Sequence, residues 1–208
     1  MNWLKPPGPI APGLRIGLLG GSFNPAHEGH LYVSEVALKR LGLDYVWWLV
    51  TPQNPLKSAN ALLPFEARMK QARAMAVHPR IVVVDIERAL GTHYSIDTLT
   101  RLRRRFREVE FVWLMGSDNL EIFHRWRRWQ EIARLVPIAV VQRPGSVLAM
   151  LSSKAIARFR PRRVCEGKRL CAPPCIVVLD GHRNAQSSTA LRAKALAPQA
   201  LVASIPPC

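Results

Sequence analysis

The 208-residue chain contains no apolar run that approaches the roughly 18 residues needed to cross a membrane. Acidic side chains are also scarce, because 14 Asp and Glu stand against 30 Lys and Arg and leave a net charge of +16. The first shortage excludes a membrane-spanning helix, so no membrane partner is expected. The second predicts affinity for anions, either small ones such as nucleotides or large ones such as nucleic acid.

Cysteine is rare and its spacing matches no common metal motif. The four cysteines are Cys165, Cys171, Cys175 and Cys208, and none forms a C-x-x-C pair. A zinc site would need a fourth ligand, and the nearest histidine is His182. We therefore expect no bound metal in this segment, and free thiols in a reducing compartment.

Residues 1–13 carry four prolines and no long apolar core, so they do not resemble a signal peptide. We expect a flexible N-terminal tail and a cytoplasmic protein. The remaining residues, 14–208, show no internal repeat and fit one domain with a sizeable core. Within it, residues 160–174 are basic and irregular and are predicted to form an excursion from the domain.

Apolar runs alternate with amphipathic segments along the domain. Strands are predicted at residues 16–19, 45–50, 81–84, 111–115, 138–141 and 175–179. Helices are predicted at 31–41, from Pro64, from about Ser95 and at 146–159. The alternation indicates an α/β fold, a Rossmann-like doubly wound sheet of about six mainly parallel strands with helices on both faces.

Residues 20–30, Gly-Gly-Ser-Phe-Asn-Pro-Ala-His-Glu-Gly-His, lie between the first strand and the first helix. Gly20 and Gly21 have no Cβ, so a ligand can approach the backbone closely. The first turn of a helix presents free N–H groups to phosphate. His27 and His30 are three residues apart, face the same way on a helical turn and can each donate to an anionic oxygen. The stretch therefore predicts a polyphosphate site.

Further candidate residues follow later strands. Asp118 comes directly after the strand at 111–115, where a carboxylate can accept from ribose hydroxyls or simply cap a helix. Lys57 follows the strand at 45–50 and is either a phosphate ligand or a solvated lysine. Ser188 and Thr189 open a final short helix, with Arg192 one turn later, and form either a cap or a second phosphate site.

Two arginine-rich stretches have alternative interpretations. Trp126 and Trp129 lie among arginines, where they either stack on bases or anchor the core. The helix from Ser95 carries five arginines between positions 101 and 107, which form either an RNA-binding face or a solvated basic face.

The stretch at 20–30 resembles the signature of bacterial nicotinate-nucleotide adenylyltransferases, members of the nucleotidyltransferase superfamily with an H-x-G-H motif. Residues 187–192 resemble the S-S-T-x-x-R motif of that family, and residues 116–120 resemble its G-x-D-x-L motif. Trp126 matches a tryptophan that packs on the nicotinate ring in relatives. Residues 93–95, His-Tyr-Ser, are similar to an S-Y-T motif whose backbone helps to bind the nicotinate carboxylate.

The resemblance implies adenylyl transfer from ATP to nicotinate mononucleotide, which yields deamido-NAD and pyrophosphate, with Mg²⁺ arriving with ATP. The catalytic residues implied are His27, His30, Lys57 and Arg192. The implied ATP-binding residues are Gly20, Gly21, Ser22, Phe23, His27, His30, Gly116, Asp118, Ser188, Thr189 and Arg192. Those implied for nicotinate mononucleotide are Asn24, Lys57, Tyr94, Ser95 and Trp126.

Two alternatives stay open at the level of the sequence. His93 and Ser95 replace the Ser and Thr of the family motif, so nicotinamide mononucleotide or another phosphate acceptor is an alternative substrate. A basic nucleic-acid-binding protein is an alternative of another class, which the net charge supports and the histidine stretch does not explain. Whether the chain forms a homo-oligomer is not indicated by its sequence.

Overall fold

We describe a computed structural model of the chain, which covers residues 6–52, 62–143, 150–159 and 170–180. Lys57, Ser188, Thr189 and Arg192 lie outside these ranges, and their predicted roles stay predictions. The same holds for Cys165, His182 and Cys208.

The described residues contain one sheet of six parallel strands in the order β3-β2-β1-β4-β5-β6, which confirms the predicted fold class. The strands are β1 Arg15–Gly21, β2 Tyr45–Val50, β3 Ile81–Val84, β4 Glu110–Gly116, β5 Ile138–Val141 and β6 Ile176–Leu179. Their short apolar runs suit strands that are covered on both faces.

The helices are α1 Glu28–Leu41, α2 Phe65–Met75, α3 Ile86–Leu90, α4 Ser95–Arg105, α5 Ser117–Ile122, α6 Trp129–Leu135 and α7 Lys154–Phe159. Gly42 ends α1 in the left-handed conformation, as its position in the sequence predicts. Helix α3 is too short to show a helical period, and sequence reasoning did not predict it.

Alternate residues of each strand enter two separate cores because neighbouring side chains of a strand point to opposite faces. Trp47 and Trp113 lie in the core beneath α3, α4 and α6. Trp48 and Leu114 lie in the core beneath α1 and α2. Both faces of the sheet are therefore covered by helices.

The strand order reverses between β1 and β4. From β1 the chain builds β2 and β3 on one side, then returns to place β4, β5 and β6 on the other. In open parallel sheets the crevice beyond the carboxyl ends of the strands, at this reversal, is where ligands bind. The stretch at 20–30 leaves the sheet from β1 at this point.

Three predictions of local structure need correction. Residues 6–13, predicted as part of a flexible tail, are attached to the domain at two points, since Ile10 packs on the core and the Gly13 N–H donates to the Glu108 carbonyl at 2.8 Å. The helix predicted at 146–159 is interrupted, within the described part, at residues 152–153, and α7 follows. The Ser153 hydroxyl accepts from the Ile156 N–H at 3.3 Å and so caps α7.

The prediction of free thiols is wrong for Cys171 and Cys175, which form a disulfide. They flank the turn before β6 with Cα atoms 6.0 Å apart, within the usual span of a disulfide. No helix in the described ranges combines the length and apolar character needed to cross a bilayer.

Candidate active site

A cleft of about 770 Å³ opens at the carboxyl edge of the sheet, over the reversal of strand order. The sequence-predicted residues that line it are Gly20, Gly21, Ser22, Phe23, His27, His30, Tyr94, Ser95, Gly116, Asp118 and Trp126. The fold therefore brings together candidates that are spread over more than 100 positions of the chain.

His27 is the N-cap of α1, and His30 lies one turn later. The Gly29 N–H donates to His27 Nδ1 at 3.0 Å, and the His27 N–H donates to His30 Nδ1 at 3.3 Å. A neutral imidazole that accepts at Nδ1 carries its proton on Nε2. The reciprocal cap thus fixes both tautomers, so each ring has an Nε2–H donor.

His27 is buried, with 3% of its surface exposed. Burial and, to a smaller extent, the positive charge of Arg143 lower the pKa of His27 to about 4, although the negative charge of Asp118 acts in the opposite direction. At neutral pH His27 is therefore uncharged. Its Nε2–H can donate a hydrogen bond to an anionic oxygen without transferring the proton.

His30 is held by packing as well as by the cap. Its ring lies 3.9 Å from the ring of His27 and 4.5 Å from that of Phe23, centroid to centroid. Phe23 adopts a left-handed conformation with φ 47°, is buried, and stacks on Trp48 at 5.1 Å. Backbone strain of this kind is typical of sites where the surroundings fix a geometry.

A hydrogen-bond chain ties the backbone of His30 to the sheet. Trp48 Nε1 donates to Ser34 Oγ at 2.8 Å, and the Ser34 hydroxyl donates to the His30 carbonyl at 2.9 Å. Both Ser34 and Trp48 are buried. The position of His30 is therefore determined by β2 as well as by α1.

The structure explains the need for glycine at position 20 by a contact that differs from the ligand approach expected from the sequence. Gly20 belongs to β1 rather than to a turn, and a Cβ there would lie 2.6 Å from Trp113 Cη2. Its missing side chain makes room for the indole of β4. At Gly21 a Cβ would meet only ordinary contact, 3.4 Å from Phe23, so the case for close backbone approach rests on Gly21.

Asp118 and Arg143 face each other on the β4–β5 side of the cleft. Arg143 Nη1 lies 3.2 Å from both carboxylate oxygens of Asp118, and Arg143 Nη2 donates to the Gly29 carbonyl at 3.3 Å. A Cβ on Gly116 would collide with the Asp118 carboxylate and lie 3.0 Å from Arg143 Nε. Gly116 is thus required for this pair, which joins the ends of β4 and β5 to α1.

Tyr94, Ser95 and Trp126 form another part of the cleft wall. Trp126 packs edge-on against Trp113 at 5.9 Å and against Phe123 at 5.4 Å. The guanidinium of Arg127 lies 4.6 Å from the centre of the Tyr94 ring. Trp126 therefore belongs to an aromatic cluster and also faces the cleft, so the two alternatives weighed for it from the sequence are not exclusive.

Glu87 lies in the cleft on the β2–β3 side. The residue is 3% exposed, and burial raises the pKa of its carboxyl to about 7. The hydrogen bond with the Thr51 hydroxyl acts in the opposite direction and lowers this pKa. Within the part of the chain that the structure describes, no hydrogen-bond partner reaches Glu87 Oε2. A cleft-lining residue with a buried carboxyl and an unpaired oxygen is a candidate for ligand contact.

Arg68, a buried residue of α2, holds the loops at the cleft rim. Its guanidinium donates to the carbonyls of Ser22 and Thr51 at 2.7 Å each, to Pro52 at 2.7 Å and to Leu63 at 2.9 Å. Burial lowers its pKa. One side chain thus connects the carboxyl ends of β1 and β2 to α2.

Asn24 is the described candidate that does not line the cleft. Its side-chain oxygen accepts from the Leu63 N–H at 3.2 Å, and the residue is 2% exposed. The structure gives Asn24 a loop-holding contact, and its role toward a mononucleotide rests on the resemblance alone.

Sequence reasoning assigned no role to Arg143, Glu87 or Arg68. Arg143 follows the strand at 138–141, and its place at a carboxyl end was a usable signal. No sequence signal marked Glu87 or Arg68, because charged residues in helices are usually exposed. Among the described residues, no three His, Cys, Asp or Glu side chains are grouped to hold a metal ion.

Comparison with known proteins finds relatives that match nearly the whole domain. The sequence matches the cytidylyltransferase-like family over residues 18–194. It is 51% identical over 185 residues to a protein of Methylorubrum extorquens strain PA1, covering 87% of this chain and 100% of that one. It is 49% identical over 181 residues to one of Rhizobium etli strain CIAT 652, covering 85% and 94%. Both relatives are named "Probable nicotinate-nucleotide adenylyltransferase".

A solved structure supports the fold. Plasmodium falciparum nicotinic acid mononucleotide adenylyltransferase, complexed with NaAD, superposes with a TM-score of 0.65 over 86% of this chain and 83% of that one. At 16% sequence identity the likeness shows a shared fold.

Proposed function

Since this chain belongs to the nicotinate-nucleotide adenylyltransferases of the cytidylyltransferase-like family, we propose that it transfers the adenylyl group of ATP to nicotinate mononucleotide. The products are deamido-NAD and pyrophosphate, and the reaction places the chain in NAD biosynthesis. The observation that carries the proposal is the pair of cap-oriented histidines in a cleft at the strand-order reversal.

The reaction exchanges one phosphoanhydride bond for another. A phosphate oxygen of the mononucleotide attacks the α-phosphorus of ATP in line, the bond from that phosphorus to the bridging α–β oxygen breaks, and pyrophosphate leaves with the bond electrons. The nucleophile is already an anion, so no side-chain nucleophile or strong base is needed. Catalysis then consists of positioning and charge stabilisation.

His27 and His30 supply the donors for this step. Their Nε2–H groups are directed by the Nδ1 hydrogen bonds of the cap, and they stabilise the negative charge on the transferring phosphate. Because His27 stays neutral, it does not protonate the attacking phosphate. Lys57 and Arg192 add positive charge, Ser188 and Thr189 bind phosphate, and the backbone near Gly21 admits the reacting groups.

The remaining candidates bind the two nucleosides. Asp118 accepts from the hydroxyls of the adenosine ribose, and Arg143 orients Asp118. Trp126 stacks on the pyridine ring, while Tyr94 and Ser95 bind its carboxylate through their backbone.

Mg²⁺ enters as part of the substrate, bound to the phosphates of ATP. Magnesium commonly keeps several waters and binds through substrate phosphates rather than through an all-protein cage. Among the described cleft residues on the β4–β5 side, Asp118 is the one acidic side chain, and its contact with Arg143 engages both of its oxygens. We propose a cytoplasmic location for the enzyme, as expected from its sequence.

The test is His30→Ala, with His78→Ala as the matched control. His78 lies just before β3, at the amino edge of the sheet, and is absent from the cleft lining. We expect pyrophosphate release by His30→Ala to fall on the order of a hundredfold or more, the usual cost of one transition-state donor. The control should keep normal turnover. Near-normal turnover in folded His30→Ala would remove His30 from the mechanism.

A further inference from the structure

We propose that Glu87 is a specificity-determining residue, whose buried carboxyl contacts the substituent on the pyridine ring and discriminates the acid from the amide. The inference rests on the proposed function, because it assigns the β2–β3 side of the cleft to the mononucleotide.

The topology gives that assignment. Asp118 and Arg143 follow β4 and β5, on one side of the central strand β1, and Thr51 and Glu87 follow β2 and β3, on the other. Ligands of two nucleotide units straddle the reversal of strand order, one unit on each side. With the adenosine ribose at Asp118, the mononucleotide lies on the side of Glu87.

The direction of the mononucleotide then follows from the chemistry. Its phosphate must reach the α-phosphorus of ATP at His27 and His30, which leave the sheet from β1. The pyridine ring is the other end of the molecule and extends away from the histidines. The substituent on the ring is therefore the group that reaches the wall formed by Thr51, Glu87 and residues 93–95.

Glu87 is equipped for such a contact. Adjacent parallel strands place Thr51 and Glu87 side by side, since Leu49 of β2 pairs with Val84 of β3. The Thr51 hydroxyl bonds to the Glu87 carboxyl. Glu87 lines the cleft, and its Oε2 is buried and has no hydrogen-bond partner among the residues that the structure describes. A ligand that forms a hydrogen bond with such an unpaired, buried oxygen is bound more tightly, because the bond removes the cost of leaving the oxygen unpaired.

The two protonation states of Glu87 recognise different ligands. The protonated carboxyl donates its O–H to the carboxylate of the acid. The ionised carboxylate repels that group and instead accepts an N–H from the carboxamide of the amide. Burial raises the pKa of Glu87 to about 7, so both states are reached near neutral pH. Acid preference should accordingly fall as the pH rises through that value.

The groups around Glu87 fit this titration. From the end of β2 comes the Thr51 hydroxyl, and from the α3–α4 connection come His93 and Tyr94. Arg68 of α2 donates to the carbonyl of Thr51, and its guanidinium is engaged by four backbone carbonyls in all. On α3 itself, Arg88 is exposed and pairs with Glu66 and Asp85. Burial is the largest influence on the carboxyl and Thr51 is the second.

The experiment measures kcat/KM for nicotinate mononucleotide and for nicotinamide mononucleotide from about pH 6 to about pH 8.5. The ratio of the two values removes every titration that the substrates share, including that of the phosphate and of His27. We expect the acid-to-amide ratio to fall about tenfold or more across this range. Direct binding constants for both mononucleotides are measured in parallel.

Three variants separate Glu87 from other groups. Glu87→Gln does not titrate, so its acid-to-amide ratio should stay flat across the pH range. Thr51→Val removes the hydroxyl that lowers the pKa of Glu87, so the midpoint should move to higher pH. Glu35→Gln changes an exposed carboxyl on α1, outside the cleft lining, and should behave as the unchanged chain.

The outcomes separate the inference from the proposed function. Turnover of the acid with a ratio that is independent of pH, and unchanged in Glu87→Gln, would overturn the role of Glu87 and leave the function intact. Absence of turnover, with a binding ratio that titrates and becomes flat in Glu87→Gln, would overturn the function and support Glu87. Failure of the folded protein to bind either mononucleotide would overturn both.

Discussion

At the scale of single residues, His27 has two separate roles, which its place in the H-x-G-H motif does not distinguish. Its Nδ1 accepts the Gly29 N–H and so caps α1, while the same bond leaves the proton on Nε2. Asparagine is among the best helix caps and can accept the same backbone N–H. It lacks a donor at the position of Nε2.

This division predicts the behaviour of His27→Asn. The helix should keep its cap, so the free energy of unfolding should change by no more than about 1 kcal/mol. Adenylyl transfer should fall on the order of a hundredfold, because one transition-state donor is lost. Thermal unfolding and pyrophosphate release on the same preparation provide the check. Equal activity in the variant would show that capping is the only task of His27.

The burial of His27 also predicts how stability depends on pH. Its pKa is lowered from 6.5 in the unfolded chain to about 4 in the folded one, so between these values the unfolded state binds more protons. The contribution of His27 is therefore full above about pH 6.5 and is lost as the pH falls toward 4. Urea unfolding across this range should show a smaller acid loss for His27→Asn than for the unchanged chain. Parallel curves for the two proteins would contradict the assigned burial.

The sequence signals that predicted these residues differ in strength. Both histidines were found because residue type and helical spacing coincide after a strand. Gly20 was found too, but it accommodates Trp113 of another strand, a contact that local sequence cannot show. Glu87 and Arg143 were missed as functional residues because their importance comes from burial and from partners distant in the chain.

At the scale of secondary-structure elements, strands and long helices were predictable because their patterns are long enough to have a period. All six strands lie where apolar runs predicted them, although β1 extends to Gly21. The five-residue helix α3 and the interruption at 152–153 depend on turn geometry and on the cap at Ser153. Short elements of this kind have no period to detect.

The cleft rim depends on one side chain of α2. Arg68 bonds to carbonyls that follow β1 and β2, including those of Ser22 and Thr51. Arg68→Met keeps much of the buried volume but leaves these carbonyls without their donor. We expect the free energy of unfolding to fall by about 2–4 kcal/mol, in the range found for losing a buried charged partner.

The matched control for Arg68→Met is Arg73→Met, since Arg73 is an exposed residue of the same helix. Denaturant unfolding of the two variants, compared with the unchanged chain, makes the measurement. Arg73→Met should lie within about 0.5 kcal/mol of the unchanged chain, as most surface substitutions do. Similar losses in both variants would show that the Arg68 network does not hold the rim.

At the scale of the whole molecule, the excess of positive charge has several sources. Two arginines of α4 make intramolecular bonds, since Arg101 donates to the Leu90 carbonyl at 2.5 Å and Arg103 to the Val109 carbonyl at 3.1 Å. Others lie in or beside the cleft, where Arg125, Arg127 and Arg143 face the site proposed for anionic nucleotides. The arginines at the cleft therefore fit a site for anionic nucleotides.

The fold class was predictable because alternation of strands and helices leaves few arrangements. The cleft was predictable in part, since the carboxyl ends of parallel strands must meet at one edge. Its wall was predictable where the family motifs indicated Tyr94, Ser95 and Trp126, but not at Glu87 and Arg143, which take part through tertiary packing. The choice between acid and amide depends on such details.

The measurement that tests the account most directly is pyrophosphate release from Mg²⁺ and ATP with nicotinate mononucleotide, run beside nicotinamide mononucleotide. The account predicts strong release with the acid, a weaker rate with the amide, and a dinucleotide product in equal amount to pyrophosphate. Folded protein that binds ATP yet releases no pyrophosphate with either mononucleotide would contradict it.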